Sequence, residues 1–303
     1  MEILGKTNID FIGKRNISFV ISSVIAIIGI IGIIQIGRGA ANMGIDFSGG
    51  TAMQLKFSKP FSIADARAAL HKHGIAKADL QEIKDGNMLL IKMAGAAVGK
   101  PSEMVQESFR KEFADNSFSV ESSTEIGPSI GDKLRKDTLI AVALSLLGII
   151  LYIAWRFDLK FGIGATIATL HDVLAMIAVF YLLNKEINLL FITAVLTIAG
   201  YSLTDTVVIF DRIRENLHKN LKGAMHNIFN NSINEVLSRT IITSLTTFLA
   251  ALSLFIFGGE VIHDFSLALL IGIGVATYSS VFVASPIVVL LENRALSKQA
   301  VKS

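Results

Sequence analysis

Asp205 is the residue in this chain whose type and place point most directly to chemistry. It lies in the stretch Gly200–Glu215, GYSLTDTVVIFDRIRE, with Val207, Val208, Ile209 and Phe210 of the same apolar run still to follow. A carboxylate carried that far into hydrocarbon is costly and faces a partner or a water path. On a helix it shares a face with Tyr201 one turn before, Ile209 one turn after and Arg212 two turns on. Gly200, Ser202 and Thr204 are small, which lets a second helix approach closely. The bland alternative is an aspartate that caps or kinks a helix near the membrane surface. Arg239 is the expected charge partner. Asp205 precedes Asp211, at the end of its run, by roughly 9 Å at about 1.5 Å per residue, and the next apolar run opens near Arg239, so the two share a depth. Thr243 and Thr247 continue the Arg239 face at successive turns and can carry hydrogen bonds or water inward. A carboxylate drawn toward its charged form by an arginine, and away from it by dehydration, is suited to taking up and releasing a proton. Arg239 reads equally well as a positive anchor at the membrane surface. Asp172 is the second intramembrane carboxylate, about 12 residues from either end of its own run, with Ala168 and Met176 one turn away. His171 beside it points about 100° away and reads as a packing histidine.

The elements that must hold these residues are membrane spans. The chain has 303 residues and is 52% hydrophobic, and it contains several apolar runs of about 20 residues, the length that crosses a hydrocarbon core of about 30 Å. The runs are Ile17–Ile36, Thr138–Trp155, Phe161–Leu183, Ile187–Ile209, Ile241–Phe257 and Phe265–Leu291. The first lacks a small-residue cleavage site and reads as an anchor, not a cleaved signal. The last is longer than needed, and Pro286 near its end predicts a kink. Lys and Arg collect in the N-terminal segment 1–16, in Arg156 and Lys160, in the loop at about 211–239 and in the tail 292–303; the short loops on the other side hold Lys185 alone. The positive-inside rule makes both termini cytoplasmic and puts 37–136 outside. The loop at about 211–239 carries Leu217, Leu221, Ala224, Met225, Ile228 and Phe229 at helical spacing, which fits an amphipathic helix on the membrane surface or a soluble helical hairpin.

Residues 37–136 have a pattern of their own. Thr51–Phe57 alternates as a strand. Ser62–His73 reads as a helix with Ser62 as N-cap and Gly74 as its stop. Asp79–Lys84 and Met88–Met93 read as a hairpin turning at Asp85-Gly86-Asn87, Ser102–Ala114 as a second helix and Ser117–Ser123 as a last strand. The order βαββαβ predicts a ferredoxin-like α+β domain. Asp46, Ser48, Gly49 and Gly50, at its entrance, suit a tight backbone turn; no phosphate-loop spacing is present. The chain has no cysteine, so disulfides and thiolate metal sites are excluded. No metalloprotease, serine-hydrolase or nucleotide-binding pattern gives support for an enzyme, a cofactor or a metal, and the basic residues report topology and not nucleic-acid binding.

GIDFSGGT (Gly44–Thr51), LHDV (Leu170–Val173), GYSLTDTVVIFDRIRE and LSRTIITSLTT (Leu237–Thr247) together resemble the SecD/SecF family of protein-export membrane subunits, and within it the smaller, SecF-type members. The resemblance runs through nearly the whole chain in order. It implies six transmembrane helices (the first at 17–36, the others within 137–291), with the 37–136 domain in the periplasm of a bacterium and the protein in its inner membrane. It also implies proton-driven assistance to polypeptide export through Asp205, Arg239, Thr243 and Asp172. The partners implied are a SecD-like second half, the SecYEG translocase and YajC, the translocating polypeptide and membrane lipid. Two other functions fit six spans: half of a proton-driven small-molecule or lipid exporter, or a non-conducting scaffold for the translocase. An outer region of about 100 residues with few aromatics favours the export role over an exporter cleft.

Overall fold

The computed structural model describes residues 7–75, 78–83, 87–94, 101–219 and 223–300. It divides into a membrane-spanning unit, Met1–Asn42, Val142–Lys185 and Leu190–Ser303, and a second unit, Met43–Ala141 with Glu186–Leu189.

The second unit is the α+β domain. After a short helix α2 (Ile45–Ser48) come β1 (Gly50–Phe57), α3 (Ile63–Lys72), β2 (Asp79–Ile83), β3 (Met88–Ala94), α4 (Pro101–Glu112) and β4 (Phe118–Ile126). The sheet order β2-β3-β1-β4, with every neighbouring pair antiparallel, is the ferredoxin-like topology. The expected N-cap is present: Ser62 Oγ accepts from Ala64 N. Alternation on β1 and β3 turns Met53, Leu55, Phe57, Leu89, Ile91 and Met93 into one core with Leu70, Val105 and Phe109. The hairpin turn falls partly outside the described residues; Asn87, which is described, has φ +66°, as such a turn requires. The small-residue loop at 95–100 also lies outside them.

The membrane-spanning unit contains α1 (Arg15–Gly37), most of α5 (Pro128–Arg156), α6 (Leu159–Leu182), α7 (Leu189–Lys219), α8 (Met225–Phe257), α9 (Gly259–Ser279) and α10 (Ser285–Ala300). These supply six segments long and apolar enough to span a membrane, the last running from Val261 to Arg294 through α9 and α10. Glycine makes the closest helix crossing possible: a Cβ on Gly29 would lie 2.3 Å from Leu174 O, so α1 meets α6 backbone to backbone only because that position lacks one.

Pro286 acts through a π-turn over Ser280–Ala284, which joins α9 to α10. Proline has no N–H, so the carbonyl four residues earlier, Phe282 O, loses its helical donor. Ser18 Oγ of α1 donates to that carbonyl at 3.1 Å, and Ser285 Oγ to Ser280 O at 3.0 Å. Neighbouring hydroxyls thus repair what the proline breaks, as the water-free interior demands.

The stretch expected as an amphipathic loop at about 211–239 is mostly continuous helix. α7 runs on to Lys219, and α8 starts at Met225 and continues into the fifth span; Leu221 lies outside the described residues. Its apolar face does not lie on lipid, because Ile228, Phe229, Ile233 and Leu237 are buried in the core of the bundle with Phe11, Phe210 and Ile213. The N-terminal segment is tied to the same place. Asn230 Oδ1 accepts from Phe11 N and Ile12 N at 3.0 Å, Asn230 Nδ2 donates to Asp10 Oδ1, and Asn234 bonds both backbone groups of Ile9.

The backbone N–H of Gly13, then Asn230, His226 and Lys14, hold the Asp10 carboxyl below the usual carboxylate range. A depressed pKa contributes stability that is present above the unfolded value and lost as pH falls through the folded one. Acidification below about pH 4 should therefore loosen the 9–13 segment from α8, seen as faster amide exchange at Phe11 and Ile12, and Asp10→Asn should flatten that pH dependence. Exchange that is independent of pH in the wild type would show that Asp10 does not hold the segment.

Candidate functional site

α7 and α8 form a cavity of about 100 Å³ lined by Tyr201, Thr204, Asp205, Val208, Arg239, Thr240 and Thr243. Sequence reasoning placed Asp205, Arg239 and Thr243 together, and all three line this cavity. Asp205 is 8% exposed, and its Oδ2 is buried with no hydrogen-bond partner. Thr240 Oγ1, on the same wall, is also buried and unpartnered. Buried polar atoms without partners are rare, and those present mark strain or function. Among the described residues no ion pair joins Asp205 to Arg239; both line the same cavity. Thr243 Oγ1 donates to Arg239 O at 3.0 Å and to Thr240 O at 2.9 Å, so its hydroxyl is spent on its own helix. Thr247 does the same, donating to Thr243 O. Arg212 pairs with Glu215 within its own helix, as the i,i+3 spacing allows, and with Glu235 of α8, each at 2.6 Å. Gly200 and Thr204 border open space, and the tight approach to α7 comes elsewhere: a Cβ on Gly272 of α9 would lie 2.5 Å from Ile198.

Asp172 does not join this cavity. It sits on α6 with no exposed surface. Its Oδ2 accepts from Ser202 Oγ of α7 at 2.5 Å and from Ser279 Oγ of α9 at 2.8 Å, and its Oδ1 lies 3.2 Å from His171 Nδ1. Sequence reasoning found Asp172 but neither its donors nor its contact with His171. The signal was present in the serines within apolar runs, Ser202, Ser279 and Ser280, because a hydroxyl there seeks a partner on another helix. Ser280 Oγ meets Thr206 Oγ1 at 2.9 Å beside it.

At one end of the bundle charges lace the helices together. Arg156 donates from one nitrogen to both carboxylate oxygens of Asp211 at 2.9 Å, and Lys160 pairs with Glu292 at 2.7 Å. The second unit carries its own pairing: Lys92 with Glu186, and Asp46 Oδ2 accepting from Leu189 N, the first residue of α7, at 2.9 Å.

A family model described as protein export membrane protein SecD/SecF, C-terminal, matches residues 105–294, and one described as the SecD/SecF GG motif matches residues 41–61. The chain belongs to the SecD/SecF family. It is 53% identical over 305 residues to a protein translocase subunit SecF of Thermodesulfovibrio yellowstonii, covering 99% of this chain and 100% of that one. It is 42% identical to the SecF of Calditerrivibrio nitroreducens, over 96% of each. The crystal structure of SecDF, a translocon-associated membrane protein from Thermus thermophilus, superposes with a TM-score of 0.83 at 35% identity. The match covers 95% of this chain and 39% of that longer one. A second SecDF structure, in a super-membrane-facing form, gives 0.72 at 33% identity.

The SecD/SecF GG motif has a plain conformational reason here. Gly49 has φ +67° and Gly50 φ +139°, and a Cβ on Gly49 would meet Pro128 Cα at 3.2 Å. The two glycines turn the chain from α2 into β1.

The Asp172 cluster yields a stability test. Ser279→Ala or Ser202→Ala removes one donor from a fully buried carboxylate and should cost about 1–3 kcal/mol. The double variant should cost more than the sum if one hydroxyl takes over the role of the other, because only it removes both donors. Thermal unfolding in mild detergent measures this; a fully neutral double variant would show that neither hydroxyl holds Asp172.

Proposed function

We propose that this chain is the SecF-type half of a proton-driven accessory complex of the Sec translocase, and that Asp205 takes up and releases the coupling proton. The observation that carries the reading is the Asp205 carboxylate: buried in a membrane-spanning helix, one oxygen unpartnered, facing a cavity shared with Arg239. An unpaired carboxylate at that depth is a functional site by default. Arg239 balances its charge across the cavity, and Thr243, fixed to its own backbone, shapes the wall. Protonation removes the charge that attracts Arg239 and frees α7 and α8 to shift, a local change able to bias a two-state element. Asp172, already satisfied by two hydroxyls, takes a secondary part.

The rest of the reading concerns setting and partners. The named relatives are translocase subunits, and the solved SecDF chain is more than twice as long as its matched part. Both support a SecD-like second half and a translocase role; the reading adds SecYEG as the translocase served, YajC and lipid as neighbours and a translocating polypeptide as cargo. The charge distribution supports an inner-membrane protein with segments 1–16 and 292–303 in the cytoplasm and the 37–136 domain in the periplasm. It has the role of a transport component, not of an enzyme.

Two outcomes test this. Asp205→Asn keeps the volume and loses the titratable group, so it should accumulate normally and reduce export in cells to the level of a strain lacking the subunit. Normal export by that variant would move the mechanism elsewhere. A reporter fused after Lys298 should read as cytoplasmic, and an external reading would reverse the topology.

A further inference from the structure

We propose that His171 and Asp172 form a second intramembrane proton site, distinct from Asp205, with His171 Nε2 as the atom that binds the proton. The inference rests on the reading of this chain as proton-driven. His171 is the buried one of the chain's six histidines, 5% exposed, and its Nε2 has no hydrogen-bond partner. Its Nδ1 lies 3.2 Å from Asp172 Oδ1. A neutral imidazole has one nitrogen that donates and one that accepts. With Nδ1–H turned to the carboxylate, Nε2 is left as a bare acceptor, aimed at nothing that donates. Such an atom is either filled by a proton or by water, and in a membrane interior a histidine is a recognised proton carrier. Protonation of Nε2 changes the pair from one net negative charge to none, without moving Asp172.

The groups around the pair suit this role. Tyr278 of α9 is the titratable group facing it, with ring centroids 6.1 Å apart; its hydroxyl donates to Ser18 O and meets Ser22 Oγ at 3.1 Å. α1 thus contributes Ser18 and Ser22, and α7 contributes Ser202, all hydroxyls. Charged groups on the neighbouring helices are Asp205, one turn beyond Ser202 on α7, the Lys160–Glu292 pair between α6 and α10, and Asp264 of α9, paired with Lys185.

The site also has a built-in readout. Ser279, which donates to Asp172, is the residue immediately before the π-turn, and Ser280 within that turn bonds Thr206 of α7. A charge change at the pair alters how strongly the carboxylate holds Ser279 and Ser202. That force acts on the hinge of the last span and on the helix that carries Asp205. π-turns of this kind are frequent at functional sites. The geometry therefore makes the two carboxylate sites communicate through α7, with His171 setting the state of the inner one.

The test measures export into inverted membrane vesicles against pH, with the full complex, for wild type, His171→Gln, Asp172→Asn and Asp205→Asn. The proposal expects Asp205→Asn to lose activity at every pH. It expects His171→Gln and Asp172→Asn each to assemble, keep part of the activity and lose the same one of two titrating steps. If Asp205→Asn is inactive and His171→Gln keeps the wild-type profile, this proposal fails and the coupling role of Asp205 stands. If Asp205→Asn is fully active, the proton-driven reading itself fails. Should His171→Gln not accumulate, infrared difference spectra of the wild-type complex with ring-labelled histidine decide. An imidazole that titrates yet exchanges slowly with D₂O supports the site, and its absence between pH 5 and 9 overturns it.

Discussion

The membrane-spanning unit depends on how it satisfies the Asp172 carboxylate away from water. With no exposed surface, that group takes its donors from two other helices, Ser202 on α7 and Ser279 on α9. Breaking either contact leaves a buried charge short of a partner, which costs more than an ordinary hydrogen bond contributes. The three helices are thereby fixed in register at one depth. Everything that must move does so against that point. The π-turn follows Ser279 directly, and Asp205 sits one turn after Ser202.

Two ways of treating a buried carboxylate stand side by side in this bundle. Asp172 is saturated with hydroxyl donors and serves as an anchor. Asp205 has an oxygen without a partner and faces a cavity that Arg239 also lines, the arrangement that the proposed proton uptake requires. The contrast follows from the surrounding residue types. Ser202 and Ser279 reach Asp172 as donors, whereas Thr243 and Thr247 are turned back onto their own helix and Thr240 Oγ1, on the cavity wall, has no partner.

Much of this was legible in the sequence where the cause is local. Alternation gave the strands, Ser62 gave an N-cap, and the Gly49-Gly50 pair announced a tight turn. The meeting of Asp205 with Arg239 followed from counting residues along two helices, because depth in a membrane is nearly a function of sequence position. What was illegible comes from contacts made at long range. Ser279 is 107 residues from Asp172, and Asn230 is 219 from Phe11. Helical periodicity does not say which of several helices lies next to a given face. The stretch at 211–239 left a surface helix and a helical hairpin open for the same reason: an amphipathic stripe fits lipid and a protein core equally well, and here Phe229 and Ile233 are buried in the core.

The central claim is that the cavity between α7 and α8 carries a proton through Asp205. It is tested most directly by proton flux in vesicles holding the purified complex, with an imposed pH gradient and a pH-sensitive dye inside. Wild type should dissipate the gradient when an unfolded polypeptide engages, Asp205→Glu should retain a measurable part of that flux, and Asp205→Asn should show none above protein-free vesicles. Flux through Asp205→Asn equal to that of wild type would contradict the account.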